Sequence, residues 1–201
     1  MSGRLRTRFA PSPTGPLHLG HAFSALVGFD LAHKADGAFL LRIEDLDQSR
    51  ARAEWEAQIF EDLTWLGLTW PRPVMRQSVR HAAYDAALDA LWKMGLLYPC
   101  TCTRRDIREA ASAPNEGTPL MGPDGIVYPG TCRPRGAPPS GERPGDTALR
   151  LNMAVAVRQL SRLKGGPPPG FEERGVDAGH PTGSVAIEAT DLVEGVGDVI
   201  L

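Results

Sequence analysis

The spacing of apolar residues changes several times along the first 95 positions. Residues 4–9, RLRTRF, alternate, with Leu5, Thr7 and Phe9 on one side, as in a half-buried strand. From Ala22 to Ala35 the period lengthens. Phe23, Leu26, Val27, Asp30 and Leu31 recur at helical intervals, and Gly37 reads as the stop. AFLLRI, residues 38–43, is a short apolar run and predicts a buried strand. Strand, loop, helix, strand is a βαβ unit, which implies parallel pairing and a right-handed crossover. Two amphipathic helices follow. Residues 49–68 present Trp55, Ile59, Leu63 and Leu66 on one face before Gly67, and His81 to Met94 present Tyr84, Leu88, Leu91 and Trp92 before Gly95. These aromatics read as core, not as base-stacking platforms, and His81 reads as solvated.

Past residue 98 the periodicity weakens. Residues 113–146 hold fifteen glycines and prolines, too many for regular structure but suited to an excursion and a linker. ALRLNMAVAVR, 148–158, predicts a strand. SVAIEATDLV and GVGDVIL predict further strands after a proline-glycine stretch at 165–170. No internal repeat is present.

Composition narrows the class. A chain of 201 residues, 42% hydrophobic and 23% charged, has material for a core and the length of one domain, with room for an insertion. A net charge of −2 gives no global nucleic-acid signature, so RNA contact has to rely on local patches. MSGRLRTRF lacks the apolar core of a signal peptide, and no run approaches the ~20 residues of a membrane span. Three cysteines, two of them one residue apart, suit a reducing compartment and a metal better than disulfides. The expectation is a cytoplasmic protein.

The first candidate chemistry lies in RFAPSPTGPLHLGH, Arg8 to His21. This loop joins the carboxyl end of a strand to the amino end of a helix. Open α/β sheets bind ligands there, and free backbone N–H groups favour phosphate. Pro11, Pro13 and Pro16 stiffen the loop. Gly15 and Gly20 permit positive φ and close backbone approach to a ligand. His18 and His21, three apart around the helix start, can both face one phosphate, and the helix dipole adds positive potential. Taken alone, H-x-G-H is short enough to be a rigid surface turn with solvated histidines. At the end of the second strand come Glu44, Asp45, Leu46 and Asp47. Carboxylates at that edge either meet a substrate ammonium or cap the next helix. Asp47 reads as the cap and Glu44 as the functional group, with an Arg8–Glu44 ion pair as the plain alternative. Arg72, Arg76 and Arg80 form either an RNA-facing patch or a solvated loop.

The second begins at Tyr98-Pro-Cys-Thr-Cys-Thr. In an extended strand the Cys100 and Cys102 sulfurs share a face about 7 Å apart, too far for a disulfide but suited to converging on one ion. Cys132 follows the turn at Pro129 and Gly130. Three thiols leave a tetrahedral zinc site one ligand short. The Tyr128 oxygen and a water are equal candidates for the fourth place, and three buried free thiols are the plain alternative.

The string Arg8–His21 resembles the first signature of the class I aminoacyl-tRNA synthetases, in the glutamyl and glutaminyl form R-F-A-P-S-P-T-G-x-L-H-x-G-H, at every fixed position. The resemblance continues through LLRIEDLD, 40–47, and the cysteine cluster, covering most of residues 4–135. It implies an α/β fold. The first half of a Rossmann-like doubly wound nucleotide-binding sheet would occupy 1–97, a zinc-bearing insertion 98–147, and a return segment 148–201. It also implies an ATP-dependent ligase that activates L-glutamate, with Mg²⁺ as companion of ATP. By resemblance, Arg8 pairs with the substrate side-chain carboxylate, Phe9, Ala10, Pro11 and Ser12 line the amino-acid pocket, and Glu44 holds the ammonium group. His18, Gly20 and His21 meet the ATP phosphates. The C-x-C…Y-x₃-C pattern looks like the zinc knuckle of glutamyl-queuosine tRNA(Asp) synthetases and some glutamyl enzymes. That resemblance makes Tyr128 the fourth Zn²⁺ ligand beside Cys100, Cys102 and Cys132. Together with DLTWLGLTW…PVMRQS and LLYPCTCTRRDI, it implies tRNA(Asp), modified at its anticodon base, as partner of a monomer. In the family the inserted region meets the acceptor end of tRNA, and Arg104, Arg105, Arg108, Arg133 and Arg135 flank the proposed metal. Two other readings stand beside this one: the amino-terminal part of a glutamyl-tRNA synthetase, and a non-catalytic zinc and tRNA-binding fragment.

The chain also departs from the family pattern. The K-x-S-K loop, the later strand with a substrate-binding tyrosine and the arginine of the second half-sheet are missing, and the last residues are the apolar Val199-Ile200-Leu201. The expectation is a chain truncated at its carboxyl end, its fold little affected and its catalytic competence in question.

Overall fold

The computed structural model describes residues 4–112, 120–123, 125–134, 141–164, 170–173 and 182–201. Two compact units, Met1–Asp85 and Ala86–Leu201, divide the chain.

In the first unit the strand β1 (Arg6–Phe9), helix α1 (Leu19–Lys34) and strand β2 (Ala38–Ile43) form the expected βαβ unit. Phe9 is in register with Leu41. Helix α2 (Ala53–Trp65) leads to β3 (Met75–Arg76), which pairs parallel to β2, so the sheet order is β1-β2-β3. One sheet face carries the core: Phe9, Phe39, Leu41 and Ile43 pack with Ala25, Ala32, Ile59, Leu63 and Leu68. Alternation leaves Arg6, Arg8, Leu40 and Arg42 on the other face.

Helix α1 starts three residues earlier than the apolar spacing predicts, and it turns a different face inward. Phe23 and Leu31 from the predicted stripe lie exposed, whereas Ala25 and Ala32 are buried. Small residues let the helix approach the strands closely, and Gly28 brings its carbonyl within 2.6 Å of the Thr7 hydroxyl. At the far end, the left-handed residue is Asp36 (φ 47°), not Gly37. Gly37 is needed because a Cβ there would lie 2.3 Å from the Leu5 carbonyl oxygen. Helices α2 and α3 (His81–Lys93) end as predicted. Gly67 and Gly95 both take positive φ, and the next residue, Leu68 or Leu96, donates its N–H back to Leu63 or Leu91 and is buried.

In the second unit β4 (Leu97–Pro99) pairs antiparallel with β7 (Leu149–Leu151), and Trp92, Leu97 and Leu149 form the core. Between them lie helix α4 (Arg104–Ala111) and the small hairpin of β5 (Met121–Gly122) and β6 (Gly125–Ile126). The predicted strand at 148–158 is strand only to Leu151; helix α5 occupies Met153–Lys164. Alternating MAVAV fits either period, and Asn152 decides by accepting the N–H groups of Val155 and Ala156 as an N-cap. In the next predicted strand only β9 (Gly183–Ala186) forms, paired with β8 (Gly170–Glu173). Asp191–Val196 is helical, and the last residues join β7 through backbone bonds of Leu151 to Val199 and of Leu201 to Leu149. Residues 165–169 of the proline-glycine stretch at 165–170, and residues 113–119 and 135–140 with Arg135, lie outside the described residues. Among the described residues no helix is long and apolar enough to cross a membrane.

Candidate functional site

The loop after β1 is pinned from below. Pro11 and Pro13 are buried. The Pro11 carbonyl accepts the Glu44 N–H at 3.0 Å and the Pro13 carbonyl accepts the Arg52 N–H at 2.9 Å, while Ser12 faces solvent. Rigidity comes from core packing as much as from the fixed φ of proline. Ala10 is half-buried, and Phe9 belongs to the core.

His18 is the N-cap of α1: its Nδ1 accepts the Gly20 N–H at 3.1 Å. His21 reaches back, its Nδ1 accepting the His18 N–H at 3.2 Å. Two histidines thus form a capping box, and their rings stack with centroids 3.8 Å apart. Neither Gly15 nor Gly20 takes positive φ, so the expected conformational role is absent. A Cβ at Gly20 would meet the His18 ring at 3.1 Å, so a larger residue there would displace the ring by a few tenths of an ångström. Burial, and then the neighbouring His18, hold the His21 imidazole below its ordinary 6.5. With Nδ1 of each ring accepting, the proton of each neutral ring sits on Nε2. The two Nε2–H groups, which the cap leaves unused, are the donors this helix start offers an anion.

The carboxylates after β2 have separate partners. Glu44 is paired closely with Arg42, not with Arg8, and the buried Arg42 Nε has no hydrogen-bond partner among the described residues. The Arg8–Glu44 pair weighed from the sequence therefore does not form. Arg8 is exposed at the end of β1, with no ion pair among the described residues. Asp47 does not cap α2, whose N-cap is Arg52 without a side-chain bond. Its carboxylate instead accepts from the Ser49 N–H and hydroxyl, holding the turn before the helix. Asp45, which the sequence grouped with its neighbours and gave no role of its own, is buried and takes the Ser78 N–H at 2.9 Å and its hydroxyl at 2.5 Å. Burial raises its pKa, but the Ser78 bonds outweigh that and hold it below the usual carboxylate range. Of the arginines near 76, Arg76 itself is tied to Glu56 on α2.

In the second unit Cys100, Cys102 and Cys132 converge with all sulfurs within 4.8 Å of one another. Cys100 continues the β4 strand, its N–H bonded to Ala148. Cys102 precedes α4, whose Thr103–Asp106 capping box fixes the exit of the chain. The Tyr128 oxygen lies 3.5 Å from both the Cys100 and Cys102 sulfurs, and the Cys102 and Cys132 sulfurs are 3.4 Å apart. Tetrahedral zinc, with bonds of about 2.3 Å to sulfur and about 2.0 Å to oxygen, sets its ligand atoms roughly 3.5–3.8 Å apart. The Tyr128–Cys100, Tyr128–Cys102 and Cys102–Cys132 separations match that spacing, and the remaining sulfur pairs lie within 4.8 Å, so the donor set fits such an ion once the sulfurs draw in around it. A hydrogen bond with the Tyr128 phenol brings the Cys132 thiol down to about 7, while burial pushes the phenol itself up.

Two residues of this centre were not singled out from the sequence. Arg150, buried on β7, donates Nε to the Cys100 sulfur at 3.2 Å and lays its guanidinium 3.7 Å above the Tyr128 ring. Asp198, also buried, accepts from Arg133 Nε at 2.7 Å, the Met153 N–H at 2.9 Å and the Tyr98 hydroxyl. The signal available was a charged residue inside an apolar run, LRL and GVGDVIL. Among the flanking arginines, Arg105 pairs with Glu109 and Arg133 with Asp198.

Comparison with known proteins gives the family of the chain. Residues 4–120 match the family described as tRNA synthetases class I (E and Q), catalytic domain. The chain is 55% identical over 195 residues to a glutamyl-Q tRNA(Asp) synthetase of Rhodobacter capsulatus, covering 97% of this chain and 66% of that protein. It is 40% identical over 200 residues to the protein of that name from Nocardia farcinica, covering 96% and 61%. It therefore spans less than two thirds of the length of these relatives. A crystal structure of a glutamate tRNA ligase from Elizabethkingia meningosepticum in complex with its amino acid superposes with a TM-score of 0.60 at 24% identity, over 96% of this chain and 38% of that one. That likeness shows a shared α/β fold. A loop that meets every fixed position of the R-F-A-P-S-P-T-G-x-L-H-x-G-H signature opens a helix at the carboxyl edge of a parallel sheet, and on this ground and the match over residues 4–120 the chain belongs to the class I glutamyl and glutaminyl tRNA synthetase catalytic-domain family.

Proposed function

We propose that this protein activates L-glutamate with ATP and transfers it to the queuosine base of tRNA(Asp). The observation that carries the activation step is the reciprocal cap at His18–His21, which leaves both Nε2–H groups as donors for phosphate at the positive end of α1. The choice of tRNA(Asp) is supported by the names of the relatives at 55% and 40% identity.

On this reading the α-carboxylate of glutamate attacks the α-phosphate of ATP, giving glutamyl-adenylate and pyrophosphate. No side-chain nucleophile is required. The protein positions the reactants and stabilises charge. His18 and His21 donate to the phosphates, Gly20 keeps the ring of His18 in reach, and Mg²⁺ accompanies ATP to neutralise its charge. Arg8 offers a planar fork to the substrate side-chain carboxylate. Phe9, Ala10, Pro11 and Ser12 shape the wall, and Glu44 receives the ammonium group after yielding part of its contact with Arg42.

The same reading assigns residues 1–97 to the catalytic half-domain, 98–147 to the insertion and 148–201 to the return segment. Cys100, Cys102, Tyr128 and Cys132 hold one Zn²⁺, a structural centre that ties β4 to the segment carrying Tyr128. Arg104 and Arg108 supply charge for RNA phosphates.

The test uses the gene product with ATP, Mg²⁺, labelled L-glutamate and tRNA(Asp) in two forms, with queuosine and with guanine at the anticodon position. Label should enter only the queuosine form, and removal of the 3′-terminal adenosine should not prevent it. Label that requires the 3′ end and enters tRNA(Glu) instead would identify a glutamyl-tRNA synthetase.

A further inference from the structure

Among the described residues the buried guanidinium of Arg150 has no carboxylate partner. It is 6% exposed, and its polar contacts are the Cys100 sulfur at 3.2 Å and the backbone carbonyl of Asp198 at 2.8 Å. The Asp198 carboxylate, close along the chain, is already taken by Tyr98, Arg133 and the Met153 N–H. A buried cation without an anion is disfavoured, and arginine cannot relieve the cost by losing its proton. Among the described residues, the anion-capable group it touches is the cluster of Cys100, Cys102, Cys132 and Tyr128, through the Cys100 sulfur and the Tyr128 ring. Three thiolates around a divalent ion carry a net charge of −1, and ionisation of the tyrosine ligand would make it more negative.

We propose that Arg150 is the buried counter-cation of the metal–thiolate centre, a positioning residue that offsets the charge of the occupied site and aims the Cys100 sulfur. This inference rests on the zinc reading above. The geometry divides the work in two. The Nε–H bond orients the Cys100 sulfur, as outer-shell donors orient metal ligands elsewhere. The flat guanidinium, stacked on the Tyr128 ring, holds the phenol oxygen 3.5 Å from two of the sulfurs. Lysine supplies the charge but neither the fork nor the stack.

Zinc content and the rate of zinc transfer to a chromophoric chelator, on the purified whole chain, test this. The parent should carry about one zinc. Arg150→Met should release it at least tenfold faster, with Arg150→Lys between the two. If Arg150→Met does not fold, Arg150→Gln compared with Arg150→Lys answers the same question. With cobalt in place of zinc, the sulfur-to-metal charge-transfer band should move to lower energy in Arg150→Met, because a thiolate that has lost its hydrogen-bond donor holds its electrons less tightly. Charge is separated from packing by Cys102→His, which removes one thiolate at a ligand Arg150 does not touch. In that background Arg150→Met should accelerate release much less. Equal acceleration in both backgrounds, or zinc held as tightly by Arg150→Met as by the parent, overturns the inference while leaving the zinc reading intact. A parent chain without zinc overturns the zinc reading itself.

Discussion

His18 and His21 close the same helix start with each other's help. The His18 ring takes the Gly20 N–H, and the His21 ring takes the N–H of His18 itself. Each imidazole spends Nδ1 on the backbone and keeps Nε2–H for a ligand. The capping bonds thus select the tautomer that can donate to phosphate, and folding of the helix orients the donors before any ligand arrives.

The tautomers are directly measurable. Long-range ¹H–¹⁵N spectra should show Nδ1 unprotonated in both rings at pH 7.5. His21 should titrate below its ordinary 6.5, since burial and His18 both disfavour its charged form. A proton on Nδ1 of either ring at that pH contradicts the reciprocal cap.

The sign of the pH effect follows. The folded pKa of His21 lies below the unfolded value, so the unfolded chain binds more protons between the two, and stability rises with pH. The contribution is fully present above about 6.5 and is lost as pH falls toward the folded value. The stability difference between the parent and His21→Asn should shrink on going from pH 7.5 to 5 in urea titrations. A difference that grows on acidification would reverse the assignment.

Capping and phosphate contact at His18 separate by substitution. Asparagine is a good N-cap and alanine is a poor one, so His18→Ala should cost about 1 kcal/mol and His18→Asn close to none. Both should slow adenylate formation, measured as glutamate-dependent pyrophosphate exchange, with less effect on the KM for glutamate. An unchanged rate in His18→Asn would reduce the loop to a structural element.

For Arg8, which no acidic side chain among the described residues engages, the substrate is the expected partner. Arg8→Leu should raise the KM for glutamate roughly 30-fold or more while the KM for ATP stays near normal, and lysine should rescue in part. Glutamate used at the parent rate by Arg8→Leu would move the selection of the side-chain carboxylate to another residue.

The metal centre gives a compositional result. Freshly purified, reduced protein should contain about one zinc by elemental analysis, and Cys102→Ser should lose it together with the cooperative unfolding of the second unit. Absence of zinc from the parent would leave three thiols and a phenol held by packing alone.

The amino-acid order by itself determined what depends on short range. Strand β2 lies at the predicted residues, and α2 and α3 end at the predicted glycines, because apolar spacing and a left-handed C-cap are properties of a few adjacent positions. The loop signature was equally legible, since it is one contiguous run that joins β1 to α1. Spacing also named the cysteines and Tyr128, although the residues alone left tyrosine and water as equal fourth ligands. Tertiary structure decided what depends on partners far along the chain. The inward face of α1 is set by how closely the sheet approaches, which favours Ala25 and Ala32 over the larger Phe23 and Leu31. Glu44 has Arg42 two residues away on the same strand face, and that proximity prevails over Arg8. Asp45 meets Ser78 across 33 residues, Arg150 meets Cys100 across 50, and Tyr98 meets Asp198 across 100. A buried charge is tolerated only where the fold brings it a partner, and no local pattern records which partner that will be.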